Sequence, residues 1–174
     1  MKNVVLTNIQ VHPSNGLSET LNQMRYLEQL SIQNPSFVKF CFDNFYSTCS
    51  GCIPGKIWNY IKKNFQYIDD DYDETIAAPY VLLEIKKGDC DDFALFSKTC
   101  LDILEIYSEI SGLQKPCWNS SYLLLGRSIQ GFTHIVCFAH RGKYLFGFND
   151  PVVIDGANDQ FNVVSNEYKF RKIV

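Results

Sequence analysis

The sequence predicts an α+β domain in which helices pack against one face of an antiparallel β-sheet. Apolar residues recur at helical spacing from about residue 18 to residue 110, whereas beyond Pro116 they gather into short aromatic or β-branched runs separated by turn residues. The scale agrees, because 174 residues, 46% hydrophobic and 14% aromatic, supply one packed core without disulfides to close it.

Each element follows from a local pattern. Leu21, Met24, Leu27 and Leu30 come after Ser18, a residue able to cap, so the spacing predicts a helix over 18–31. Pro35 opens a second helix with Phe37, Phe40, Cys41 and Phe45 on one face, and Pro54 a third with Ile57, Trp58, Ile61 and Phe65. A short helix over 79–87 is expected to end at Gly88. From Asp91 to Ile110, Ala94, Leu95, Leu101, Leu104 and Ile110 recur among good helix formers, which marks the central helix. Strands are expected at 122–125, 132–139, 144–148, 161–164 and 168–174, turning at Arg141-Gly142 and Asp155-Gly156 in an antiparallel meander. The polar turn from Ser47 to Cys52 suggests an N-terminal helical extension, residues 1–52, packed on a main domain, residues 53–174.

Composition excludes several function classes. Sixteen Lys+Arg against nineteen Asp+Glu give a net charge of -3, which argues against a nucleic-acid partner. No run approaches the roughly 20 apolar residues of a membrane span, and Val4-Val5-Leu6 is too short for a secretory signal, so a cytoplasmic chain without membrane partners is expected. Seven cysteines are an odd number, so at least one thiol stays out of intramolecular pairs, and the remainder read as small buried hydrophobes. Cys49-Ser50-Gly51-Cys52 has no second ligand pair for zinc and lies between two helices, not after a strand, so neither metal nor redox chemistry is expected there. The acidic run Asp69 to Glu74 lacks an EF-hand pattern and reads as a solvated loop. No metal or organic cofactor is expected in the chemistry. His12 and His140 read as surface residues.

The chemically informative segment is Gly88-Asp89-Cys90-Asp91-Asp92-Phe93-Ala94. With Asp89 as N-cap, Cys90 takes the first helical position, where the positive end of the helix favours thiolate and a main-chain amide offers half of an oxyanion hole. The three neighbouring carboxylates oppose that thiolate unless they turn into hydrogen bonds. His134 lies in a strand-like run, and the next run ends in Asn149-Asp150-Pro151. A two-residue turn at Arg141-Gly142 sets position 134 opposite 149, and one more loop residue sets it opposite 150. A helix-start thiol, a strand histidine and an Asp or Asn orienting it are the parts of covalent thiol catalysis.

These segments, in the order Cys90, His134, Asp150, resemble the transglutaminase-like superfamily, particularly its short single-domain bacterial and phage members, over roughly residues 55–155. The resemblance implies a papain-like fold, with Cys90 as nucleophile, His134 as base and Asp150 as orienter. It also implies amide chemistry on a protein or peptide substrate through a thioester, ending in hydrolysis or acyl transfer. The chain departs from the family at Val136, where an aromatic residue is common, and at Val152-Val153, where polar residues are common. Trp58 and Tyr67 are candidates for a side-chain oxyanion donor. The competing expectation is a non-catalytic structural or interaction module that keeps the fold, for instance within a larger complex or a virion. A third is a peptidase or amidase acting on cell-wall peptides.

Overall fold

Two ten-residue strands, β5 (Asn119–Ser128) and β6 (Gly131–His140), send apolar side chains to both sides, so the sheet they centre must be covered on both faces. The computed structural model describes residues 8–11, 16–69, 74–128, 131–141, 143–144, 147–148 and 150–174. In it β5 and β6 pair antiparallel inside a four-stranded sheet of order β10 (Phe170–Ile173), β5, β6, β9 (Val152–Ile154). Tyr122, Leu124, Ile135, Cys137 and Ala139 face the helices. Leu123, Leu125, Val136 and Phe138 face the other way and are covered by Val164 and Tyr168 of the C-terminal segment.

The helices are α1 (Gly16–Ile32), α2 (Pro35–Phe45), α3 (Ile53–Asn64), α4 (Pro79–Ile85) and α5 (Cys90–Ile110). α5 is the central one. Its Phe93, Phe96, Cys100, Leu101 and Leu104 join Phe37, Cys41 and Phe45 of α2 and Ile53, Ile57 and Ile61 of α3 in one core. Its Ala94 and Leu95 join Leu21, Met24 and Leu27 of α1 in a second. Phe96 sits among the rings of Phe37, Phe40, Phe45, Tyr60 and Phe65, with centroids 5.1 to 6.3 Å away. Aromatic contacts of this kind add about 0.5–1.5 kcal/mol per pair beyond buried area. Both α1 and α2 therefore contribute to the cores that hold α5.

Short pairings finish the frame. β1 (Asn8–Val11) pairs antiparallel with β3 (Glu74–Ala77), and β2 (Gln66–Tyr67) pairs in parallel with β4 (Lys87–Gly88) immediately before α5. β7 (Lys143–Tyr144) and β8 (Gly147–Phe148) form a small hairpin between β6 and β9.

Several sequence expectations change. α4 ends at Lys86, in the left-handed conformation at φ 59°, with its N–H bonded to Leu82 O at 3.0 Å. Gly88 serves a different purpose, because a Cβ there would lie 2.4 Å from Asp92 Oδ2. The single strand expected over 144–148 is the β7–β8 hairpin, and 161–164 is turn and irregular chain that packs on the sheet face through Val164. His140, expected at the surface, is buried beside the Phe138 ring, 5.8 Å away. Cys41, Cys100 and Cys137 are buried, and burial raises the Cys100 and Cys137 thiols, as expected of packing residues. Cys49 and Cys52 are not packing residues but are joined by a disulfide. His12, Gly142, Asn149 and most of the acidic loop, residues 70–73, lie outside the described residues.

A polar network crosses from α1 to α5 and β5. Lys98 Nζ lies 2.7 Å from Glu28 Oε1 and 2.6 Å from Asp102 Oδ2, and Tyr122 donates to Glu28 Oε2 at 3.2 Å. Burial opposes the Lys98 charge, yet the Asp102 and Glu28 carboxylates outweigh it and raise the pKa of the ammonium. For Glu28, burial and its hydrogen bond with Asp102 outweigh the Lys98 attraction and push the carboxyl up to about 7.

After β9 the chain returns to the helices through Gly156, where a Cβ would lie 2.6 Å from Phe93 Cδ2 and 2.8 Å from Ile61 Cγ2. Gly156→Ala should destabilise the fold by about 1–3 kcal/mol through overpacking, read as a lower urea midpoint at unchanged m-value. A neutral result would refute the close approach. Glu28 supplies a pH signature. Between its ordinary 4.5 and its folded value of about 7, the folded chain keeps a proton that the unfolded chain has released, so stability falls as pH rises through that window. Urea unfolding at about pH 5 and about pH 8 should show a smaller fall in Glu28→Gln than in the parent, by on the order of a few kcal/mol at most. Equal falls in both proteins would overturn the assignment.

Candidate thiol site

The start of α5 is built around two carboxylates. Asp89 is the N-cap and its Oδ1 accepts from Asp91 N at 3.2 Å, while Asp92 at the third helical position reaches back to Asp89 N at 3.3 Å, a reciprocal capping box. The second Asp92 oxygen accepts from Ala77 N of β3 at 2.7 Å, which ties the helix start to the neighbouring strand. The side-chain room left by Gly88 admits this carboxylate. Cys90, the first residue of α5, is half-buried and packs on the core that contains Ile135 and Phe132 of β6.

β6 delivers the histidine. His134 pairs with Leu125, and Phe132 with Gly126, so Thr133 is an extra residue in β6, a bulge. The bulge interrupts the alternation of β6, so that Phe132 packs with Ile135 and Cys90 against one core while His134 keeps its pairing with Leu125. The imidazole is nearly buried, 8% exposed, and its Nε2 lies 2.9 Å from Asp155 Oδ2, a side chain also 8% exposed.

Asp155 is held at every oxygen. Oδ1 accepts from Ala157 N at 3.0 Å, Oδ2 faces His134, and the main-chain carbonyl accepts from Trp58 Nε1 of α3 at 3.0 Å. A carboxylate accepts, so His134 donates to Asp155 from Nε2. Trp58 is thereby committed to positioning Asp155.

Asp150 stands elsewhere. It is exposed, adopts φ 47°, and its Oδ2 lies 3.8 Å from Arg141 Nη1. The physical reason is register. β9 pairs Val152 with Ala139 and Ile154 with Cys137, because the β7–β8 hairpin lengthens the connection from β6. This register brings the residue after Ile154, not Asp150, diagonally across from His134. Asp155 was legible only as part of an Asp-Gly turn, since the three residues of β9 are too few to show a period.

Two tyrosines complete the surroundings. The Tyr168 ring stacks on the imidazole at 5.4 Å and 14°. Burial first, then the nearby charges of Glu167, Asp155 and Cys90, raise its phenol pKa, with Arg127 opposing. Tyr67 donates to Asp69 Oδ1 at 2.6 Å, and burial, that hydrogen bond and the Cys90 charge raise its phenol as well. Tyr168 thus feels both Asp155 and Cys90, and Tyr67 feels Cys90. One oxygen from each of Asp89, Asp91 and Asp92 lies within 4.8 Å of the others, and Asp89 Oδ1 and both Asp92 oxygens are engaged in the bonds described above. Among the described residues no helix is long and apolar enough to cross a membrane.

No family model matches the chain, and no curated protein matches it. Among solved structures it is similar to LapG of Legionella pneumophila. The calcium-bound form has 16% identity and a TM-score of 0.45 over 88% of this chain and 81% of that one. The EGTA-treated form has 15% identity and a TM-score of 0.47 over 87% and 79%. A further LapG structure has 16% identity and a TM-score of 0.44 over 79% and 75%. The chain itself is a mixed helix-and-sheet protein whose central helix opens with Cys90 and whose sheet seats His134 against Asp155.

Proposed function

We propose that this chain is a thiol-dependent enzyme of the transglutaminase-like kind, acting on carboxamide or peptide bonds of a protein or peptide, with Cys90 as nucleophile, His134 as base and Asp155 as orienter. Asp155 replaces Asp150 in this reading. The observation that carries it is the His134–Asp155 pair at 2.9 Å, with both side chains 8% exposed and the Tyr168 ring stacked on the imidazole. A histidine oriented through Nε2 keeps Nδ1 for proton transfer, and Tyr168 lies within the field of both Asp155 and Cys90.

In this mechanism His134 Nδ1 takes the Cys90 proton and the thiolate attacks the substrate carbonyl. The oxyanion forms at the positive end of α5. Collapse expels the amine, which receives the proton from His134, and leaves a thioester on Cys90. Water or a second amine then resolves it, with His134 again taking a proton. One Asp89 oxygen and both Asp92 oxygens accept main-chain hydrogen bonds, which fix these carboxylates around the helix start that carries Cys90.

Iodoacetamide alkylation mapped by peptide mass spectrometry tests the reading, with exposed Cys117 as the internal comparison. At about pH 6 an ordinary thiol is ionised well under ~1%, so a His-paired Cys90 should react about 100-fold faster than Cys117. His134→Ala should abolish that advantage. Asp155→Asn should reduce it about tenfold or more, and Asp150→Asn should leave it intact. Equal rates for Cys90 and Cys117 in the parent would sink the nucleophile assignment, and sensitivity to Asp150 but not Asp155 would return the orienter to position 150.

A further inference from the structure

A second sulfur site lies at the other end of the helical layer. Cys49 and Cys52 form a disulfide across Ser50-Gly51, both cysteines are exposed, and the loop runs through a single 3-10 turn, Ser50–Cys52, into the twelve-residue α3. Arg141 lies over this loop. Its Nη2 donates to Ser50 Oγ at 3.0 Å and sits 3.1 Å from where a Gly51 Cβ would be, so residue 51 must be small for the guanidinium to approach. The same guanidinium stands 5.0 Å over the Trp118 ring, and Trp118 Nε1 donates to Ser50 O at 2.8 Å. Exposed Asp150, with its carboxylate 3.8 Å from Arg141 Nη1, is the acidic neighbour of this cation.

These contacts make the S–S bond dispensable to the shape of the loop. Cys52 N bonds to Cys49 O at 3.0 Å, Ser50 is held at both oxygens by Trp118 and Arg141, and Ile53 and Phe45 on either side are buried in the core. A disulfide that closes so short a loop removes little entropy from the unfolded chain. Reduction therefore sacrifices little folding stability, and the two thiols remain side by side for reoxidation. Arg141 and the positive end of α3 favour a thiolate there, which stabilises the reduced pair and makes it a better leaving group in exchange.

We propose that Cys49 and Cys52 form a thiol–disulfide exchange site for low-molecular-weight monothiols. A thiolate RS⁻ attacks one sulfur, forming a mixed disulfide and releasing the other cysteine as thiolate. A second RS⁻ attacks the R-bearing sulfur of that mixed disulfide, releasing RSSR and the remaining cysteine. Two monothiols lose two electrons and two protons, and the protein disulfide gains both to become the dithiol. The site is separate from Cys90 and His134 and stands whether or not the thiol-enzyme reading does.

The test equilibrates the whole chain in mixtures of reduced and oxidised glutathione at about pH 7, quenches with acid, alkylates after denaturation and counts modified cysteines by mass. The oxidised form offers five thiols and the reduced form all seven. The proposal expects the half-way point to fall within the glutathione mixtures. Cys49→Ala/Cys52→Ala should stay at five throughout, and Arg141→Ala should shift the balance about threefold or more toward the disulfide, with Arg141→Lys between it and the parent. Urea unfolding of each variant checks that it is folded. Five thiols in every mixture, with reduction only by excess dithiothreitol, would make the pair a structural staple and overturn the proposal. So would seven thiols in oxidised glutathione alone, a gain of two thiols in the double variant, or no shift in a folded Arg141 variant.

Discussion

Everything in this fold hangs on the enclosure of α5 from Asp91 to Leu104. Its Phe93, Phe96, Leu101 and Leu104 pack on α2, α3 and β9, and its Ala94 and Leu95 on α1, α4 and the sheet, so the helix has no freedom to slide or turn. At roughly 25 cal/mol per Å² of apolar area, moving one such side chain out of register costs more than any polar contact at the helix start returns. Asp92 then completes the constraint, since one oxygen closes the capping box and the other binds β3. Cys90 inherits its position from these two facts.

The histidine side of the site obeys a different constraint, the register of β9 against β6. Pairing Ile154 with Cys137 puts Asp155 at the point where the sheet ends and the chain must turn. Gly156 allows that turn to press against Phe93 and Ile61, and Trp58 holds the Asp155 carbonyl. The helical core and the acid–imidazole pair therefore meet in two consecutive residues. A change in helix packing is transmitted to Asp155 by direct contact, without any intervening loop.

Much was legible from local pattern. The five helices were readable because each carries apolar residues on a repeating face, and four of the five open at or near a Pro or a capping Asp or Asn. Cys90 was readable as a helix-start thiol for the same reason: Gly-Asp before it and Asp92 three residues after the cap are a local signature. Asp155 was not readable, because nothing in Val152-Val153-Ile154-Asp155 reveals how many residues the connection from β6 consumes. Tyr168 was not readable as a ring on the imidazole, because that contact closes only when β10 pairs with β5. The Cys49–Cys52 pair was visible as a spacing, while its exposure and its Arg141 neighbour depend on where the end of β6 falls.

By itself the sequence determined the helices, the two central strands, the α+β class and the place of the thiol at the head of the central helix, since these follow from periodicity and capping within a few turns of chain. Only the tertiary structure decided which carboxylate faces His134, which ring covers it, and which cysteines pair. Those are choices among residues far apart in sequence. They rest on strand register and core packing, and a one-residue shift in either would select different partners from the same chain.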